Sequence, residues 1–170
     1  MKLYSGKVDI IAAEICSKLV DQETIETNNQ DEVELDIASV MREYIRRDRH
    51  LTEAAKDICE HQGLPYSSFS KLKRQLAKKE NFRIDDDAMD YIMDQIIGVF
   101  MHSQFVEEIY AEDHELKLIM RDIIRKHTEI ENDMDVEARN KIKNLKEGTN
   151  EWEIEYKRAM DQVKKRRKLD

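Results

Sequence analysis

The sequence predicts an all-α protein of about six to eight helices, arranged as two tandem, similar units packed into one domain with pseudo-twofold symmetry. Three observations carry that prediction. Apolar residues recur at three- and four-residue spacing along most of the 170-residue chain. Helix breakers are scarce, with one proline and four glycines. The order of helix, turn, long helix, glycine stop and basic helix occurs twice. The units are placed at residues 1–83 and 84–170.

In the first unit, Ser5 is a candidate cap for a helix whose apolar face is Val8, Ile11, Ala12, Ile15, Cys16 and Leu19. Residues 24–29 read as a polar turn. A longer pattern follows in Val33, Ile37, Val40, Met41, Tyr44 and Ile45, then Leu51, Ala55 and Ile58. It bends or restarts between Asp48 and Thr52, with Thr52 as a candidate cap. Gly63 and Pro65 form a stop, because glycine takes the left-handed position and proline cannot continue the helix. Ser67 or Ser68 opens a third helix with Phe69, Leu72 and Leu76.

The second unit begins at Asp85, Asp86 and Asp87, acidic residues that suit a helix N-terminus. Met89, Ile92, Met93, Ile96, Ile97 and Phe100 form its first stripe, which Phe105, Val106 and Ile109 continue after a break. Asp113 caps a helix with Leu116, Ile119, Met120, Ile123 and Ile124. Another starts near Asp133, carries Ala138, Ile142 and Leu145, and ends by Gly148. Thr149 opens the last helix, with Trp152, Tyr156, Met160 and Val163. No segment alternates between hairpin turns, so no strand is expected.

The two halves align residue by residue at several places. Val40-Met41-Arg42-Glu43-Tyr44-Ile45-Arg46-Arg47 lies beside Ile119-Met120-Arg121-Asp122-Ile123-Ile124-Arg125-Lys126. Val8, Ile11, Ile15 and Leu19 fall on Met89, Ile92, Ile96 and Phe100 at a constant offset. Gly63 matches Gly148, and Leu72-Lys73-Arg74 matches Tyr156-Lys157-Arg158. Amphipathic helices resemble one another singly, but a shared order of five features points to duplication.

Composition narrows the setting. Hydrophobic residues make up 40% and charged residues 39% of the chain, which suits helices with solvated outer faces. No apolar run is long enough to span a membrane. The opening segment Met1-Lys2-Leu3-Tyr4-Ser5-Gly6-Lys7 lacks the apolar stretch of a signal peptide, so a cytoplasmic protein is expected. Cys16 and Cys59 both lie on apolar faces and are expected as free thiols, not as a disulfide.

Several segments carry a resemblance to a known family. They are residues 1–7, Asp31-Glu32-Val33-Glu34-Leu35-Asp36 and Gly63-Leu64-Pro65-Tyr66-Ser67. Further on come Phe100-Met101-His102-Ser103-Gln104-Phe105-Val106-Glu107-Glu108-Ile109-Tyr110 and Lys141-Ile142-Lys143-Asn144-Leu145-Lys146-Glu147-Gly148-Thr149. On these the chain resembles the bacterial family called domain of unknown function five-oh-seven. The resemblance implies a bacterial cytoplasmic protein and brings no activity, cofactor or catalytic residue.

Catalytic and metal chemistry find little footing. His102, Glu107, Glu108, Glu112, Asp113, His114 and Glu115 have ligand chemistry, but sequential residues point different ways on a helix, and a capped helix start explains them as well. Asp85, Asp86 and Asp87 are ordinary at a helix start. No nucleophile elbow and no phosphate-cradling glycine loop is present. No enzymatic activity and no cofactor or metal site is therefore expected.

Charge is the most informative feature. The chain is acidic overall, at −8, yet cations concentrate at equivalent places in the two units. One cluster is Lys71, Lys73, Arg74, Lys78, Lys79 and Arg83. The other is Lys157, Arg158, Lys164, Lys165, Arg166, Arg167 and Lys168. Interleaved Tyr66, Phe69, Trp152 and Tyr156 offer stacking faces, although they sit at core spacing. Cations also favour helix C-termini without any ligand. Arg42 and Arg46, like Arg121 and Arg125, share a helix face and are expected beside acidic residues of a neighbouring helix, with Glu43 and Asp122 off that face.

Together these features point to a non-enzymatic interaction or scaffold protein that binds a protein partner, or a second copy of itself as a homodimer, through its helical surfaces. The alternative is a nucleic-acid-binding protein that uses the basic helices around residues 71–83 and 157–168.

Overall fold

The computed structural model describes residues 3–166. Within them are six α-helices and one short two-stranded ribbon. In chain order they are α1 (Val8–Asp21), β1 (Ile25–Thr27), α2 (Gln30–His61), α3 (Phe69–Lys79), α4 (Ala88–Phe100), β2 (Val106–Ile109), α5 (Asp113–Lys141) and α6 (Asn150–Arg166). The all-α class and the helix number expected from periodicity are those observed. Arg167 and Lys168 of the second basic cluster lie outside the described residues.

The ribbon corrects the expectation of no strand. β1 and β2 pair antiparallel, Ile25 opposite Ile109 and Glu26 opposite Glu108, with an irregularity before Thr27. Each strand is a helix–helix connection three or four residues long, and its partner lies in a distant part of the chain. Local alternation therefore had nothing to register. Side chains reinforce the pairing. The Thr27 hydroxyl donates to the Phe105 carbonyl at 2.6 Å, and the Asn28 amide donates to the Gln104 carbonyl at 3.2 Å.

Helix boundaries follow from capping. Asn29, in extended backbone, turns its side-chain oxygen to the Glu32 N–H and starts α2. Ser5 does not cap α1 as expected. A 3-10 turn at Ser5–Lys7 runs straight into the helix, and the Ser5 backbone carbonyl accepts the Val8 N–H instead. Thr149 does cap α6, accepting the Trp152 N–H at 3.2 Å.

Three helices end alike. After α2, Gly63 takes a φ of +59°, its N–H bonds Glu60, and the Leu64 N–H reaches the Cys59 carbonyl. The same two-bond closure ends α1 at Glu23 and α3 at Asn81, with φ of 54° and 50°. This is the Schellman arrangement, which satisfies carbonyls that a helix end leaves open.

Two long helices correct expected breaks. α2 is continuous through Asp48 and Thr52, because Leu51 and Ala55 keep their places on the buried face. Thr52 does not cap anything; its hydroxyl donates back to the Asp48 carbonyl at 2.8 Å. α5 likewise runs through residue 133, where a new helix was expected.

Packing divides the chain into two compact units, one through Arg125 and one from Lys126. The core of the first comprises the α1, α2 and α4 stripes, with Leu116, Met120, Ile123 and Ile124 of α5. Phe82, the residue that closes the α3 terminus, is buried in it. The core of the second unit comprises Met134, Ala138, Ile142, Ala159, Met160 and Val163, with Leu145, Trp152 and Tyr156 packed against it.

Candidate functional site

Three of the six cations of the first basic cluster are engaged in ion pairs with carboxylates. Lys73 reaches Asp48 at 2.7 Å, and at 19% exposure it is mostly covered. Arg74 bonds Asp85 at 2.9 Å, and Arg83 lies 3.7 Å from Asp94. Lys71, Lys78 and Lys79 are exposed and form no ion pair with another described residue. In the second unit Arg158 bonds Glu155 at 2.7 Å and Arg166 pairs with Glu137. There Lys157, Lys164 and Lys165 are the cations of α6 without an ion pair among the described residues.

The arginine pairs expected on one face also find acids. Arg42 of α2 bonds Asp9 of α1, and Arg121 of α5 bonds Asp90 of α4 at 2.8 Å. The two bridges thus join α1 to α2 and α4 to α5 through residues that align when the two halves of the sequence are compared. Arg46 departs from expectation: it grips Glu43, one turn back, through two bonds of 2.7 and 2.6 Å. That grip holds the Glu43 carboxyl below its usual range.

The four aromatics stack in two separate pairs, one within each unit. Tyr66 and Phe69 are parallel with centroids 5.7 Å apart, and Trp152 and Tyr156 are parallel at 4.8 Å. Arg139 lies over both rings of the second pair and bonds Asp135 and Glu147. Burial alone would lower its pKa, but the hydrogen bonds it donates to the two carboxylates hold it above the usual range. Trp152 and Tyr156 therefore belong to the core of the second unit, while Tyr66 remains exposed.

The candidate ligand residues around the ribbon are spread along its surface. His102 Nδ1 lies 2.9 Å from the Gly98 carbonyl, and the Glu112 N–H is held by the Glu115 carboxylate as in a capping box. Among the described residues no three of the His, Cys, Asp and Glu side chains converge as metal ligands would.

A feature not foreseen from sequence lies between α2 and α4. Two adjoining hollows, of about 290 Å³ and 620 Å³, share Asp36, Gln95 and Val99 and so form one open groove. Val40, Tyr44, Tyr91, Ile92 and Val99 supply an apolar floor, and Asp36, Ser39, Glu43 and Gln95 the rim. Phe82, Tyr44 and Tyr91 close one end as a three-ring cluster with centroids 4.9 to 6.2 Å apart.

Arg47 stands over Phe82 at 4.5 Å and donates to the Tyr91 hydroxyl at 3.0 Å. The Tyr44 hydroxyl donates to the Arg83 carbonyl, and burial, followed by the nearby Asp48 and Asp85, pushes its pKa up, so it stays neutral. At the other end the Ser103 hydroxyl donates to Asp36 at 2.9 Å. The signal in the sequence was Val40, Tyr44 and Arg47, spaced by four and three residues beside the deeper stripe of Ile37 and Met41. They widen the apolar face of α2 beyond what its own neighbours fill.

The fold and groove define a helical protein with a small ribbon and an open apolar groove in its first unit. The chain belongs to the family described as Protein of unknown function (DUF507), whose model matches residues 1–169. No curated protein matches it. Among the described residues no helix is long and apolar enough to cross a membrane, and Cys16 and Cys59 are both free.

Proposed function

We propose that this protein is a non-enzymatic interaction protein that takes a protein partner in the groove between α2 and α4. The observation that carries this reading is the groove's combination of an apolar floor, open to solvent, with a polar rim. Interfaces place an apolar centre within such a rim, and a pocket edged by aromatic rings suits a partner's anchoring side chain. Free thiols at Cys16 and Cys59 support a reducing, cytoplasmic setting.

The test is a photo-crosslinking residue at exposed Gln95, with a second at Lys79 for comparison, in cells. A discrete polypeptide adduct is expected from position 95 and is expected to vanish with Val40→Asp. No polypeptide adduct at position 95, or one indifferent to Val40→Asp, overturns the reading.

The nucleic-acid reading has one observation in its favour, the lysines without an ion pair among the described residues: exposed Lys71, Lys78 and Lys79 on α3, and exposed Lys157 and Lys165 with half-buried Lys164 on α6. Its test is polarisation binding of RNA and duplex DNA at low salt. Binding that weakens with added salt and with the double change Lys78→Glu and Lys79→Glu supports it. No binding at low salt eliminates it.

The internal duplication remains part of the proposal. It is supported by the matched Asp9–Arg42 and Asp90–Arg121 bridges and by the pairing of β1 with β2.

A further inference from the structure

The groove's shape and charge say more about its occupant, given that the groove is the binding surface. We infer that it receives an amphipathic helix bearing one large apolar anchor and, about two turns N-terminal to that anchor, a lysine or arginine. The anchor enters the pocket edged by Tyr44, Phe82 and Tyr91. The cation meets Asp36.

Spacing sets the first part. Asp36 and Tyr44 are eight residues apart on one continuous helix, hence about 12 Å along its axis. Both line the smaller hollow, which Asp36 links to the larger one. A helix lying along the groove spans the same distance in seven or eight residues, which return to one face.

Charge sets the second part. Glu43 is gripped by Arg46, and Arg47 lies 3.7 Å from Glu80 and bonds Tyr91. Asp36 is held in place by the Ser103 hydroxyl and forms no ion pair with a described residue. The uncompensated charge of the groove is therefore a fixed carboxylate. It favours a cation and also the positive N-terminal end of a helix dipole, which sets the direction of the occupant. The same carboxylate repels a phosphate backbone.

Backbone chemistry sets the third. The two long walls are α2 and α4, helices whose backbone groups are already bonded, so they offer no edge to an extended segment; only the ends of the groove, at Phe82 and at residues 102–105, are loops. A helix satisfies its own N–H and C=O groups before it enters an apolar groove.

The experiment uses the full chain and a fluorescent, alanine- and glutamine-based helical peptide of about four turns. Lysine occupies its fourth position and phenylalanine its eleventh; the counterpart carries glutamate at the fourth. Polarisation is expected to show the lysine peptide bound at least about fivefold more tightly. Asp36→Lys is expected to invert that preference, and Gln95→Trp, at an exposed rim position, to abolish binding of both. Val40→Asp separates docking from general attraction to an acidic protein, because it adds negative charge yet is expected to weaken binding. Thermal melts confirm that each variant is folded.

Equal affinity for the two peptides, or a preference that Asp36→Lys leaves unchanged, overturns the inference. If the Gln95 adduct in cells persists in that case, the groove reading stands alone; if it is absent too, both fall. Self-association of the chain that Gln95→Trp abolishes assigns the groove to a second copy and overturns the inference as well.

Discussion

Cys16 shows how a single buried group ties packing to pH. Its side chain is fully covered, and its Sγ lies 3.7 Å from the Gln30 carbonyl. Burial, followed by the charges of Glu34 and Asp31, pushes the thiol up to about 11 from an ordinary value of 9.0. Between those values the unfolded chain has lost the proton that the folded chain keeps. The unfolded state then binds fewer protons, so stability falls as pH rises through that window and is fully retained below it. Tyr44 is shifted in the same direction and adds to the alkaline loss. Denaturant titrations at several pH values from neutral to 11 are expected to show declining stability above pH 9.0. Cys16→Ala is expected to make that decline shallower, whatever it costs at neutral pH. A thiol reagent added to the folded protein at pH 8 is expected to modify the half-buried Cys59 first and Cys16 only on unfolding.

Elements were legible in the sequence where a local pattern decided them. The stripes of α1 and α4 and the Gly63 stop were read correctly because each depends on neighbours a few residues apart. The ribbon was missed because Ile25 and Ile109 find each other only through the packing of the helices between them. The groove was missed for a related reason: Val40 and Tyr91 are ordinary apolar residues until two helices leave them uncovered. The helix ends make a paired prediction. Gly63 and Glu23 occupy the same left-handed position, at φ +59° and 54°, after α2 and α1. No atom lies within 4 Å of where a Cβ at Gly63 would stand, so only backbone preference is at stake there. Gly63→Ala is expected to cost about 1 kcal/mol and Glu23→Gly to gain up to about 1 kcal/mol, because a side chain disfavours that conformation. Asn29→Ala, which removes the cap of α2, is expected to cost about 1 kcal/mol. Urea unfolding followed by circular dichroism measures all three, and shifts of the same sign for Gly63→Ala and Glu23→Gly would contradict the account.

The whole molecule has two cores of unequal depth. The first unit buries large side chains completely, among them Ile15, Leu19, Met41, Ile92, Ile96 and Phe100. The second relies on Met134, Ala138, Ile142, Ala159, Met160 and Val163, of which two are alanines and two are 9% exposed. Burial of apolar area is worth about 25 cal/mol per Å², so the second core contributes far less against the entropy of ordering its helices. Its polar network adds some support, since Arg139 joins Asp135 and Glu147 while stacking on Trp152 and Tyr156. Those contacts are partly solvated and bring less than an apolar core would. Local opening should therefore begin in the second unit, because amide protection follows the stability of the cooperative segment. Native-state hydrogen exchange is expected to show α6 amides exchanging at least about tenfold faster than those of α1 and α4, a gap of about 1.4 kcal/mol or more. Val163→Ala, which trims the one fully buried β-branched side chain of that core, is expected to widen the gap by speeding α6 while leaving α1 and α4 unchanged. Uniform acceleration across all three helices would instead mean that the chain opens as a single cooperative body.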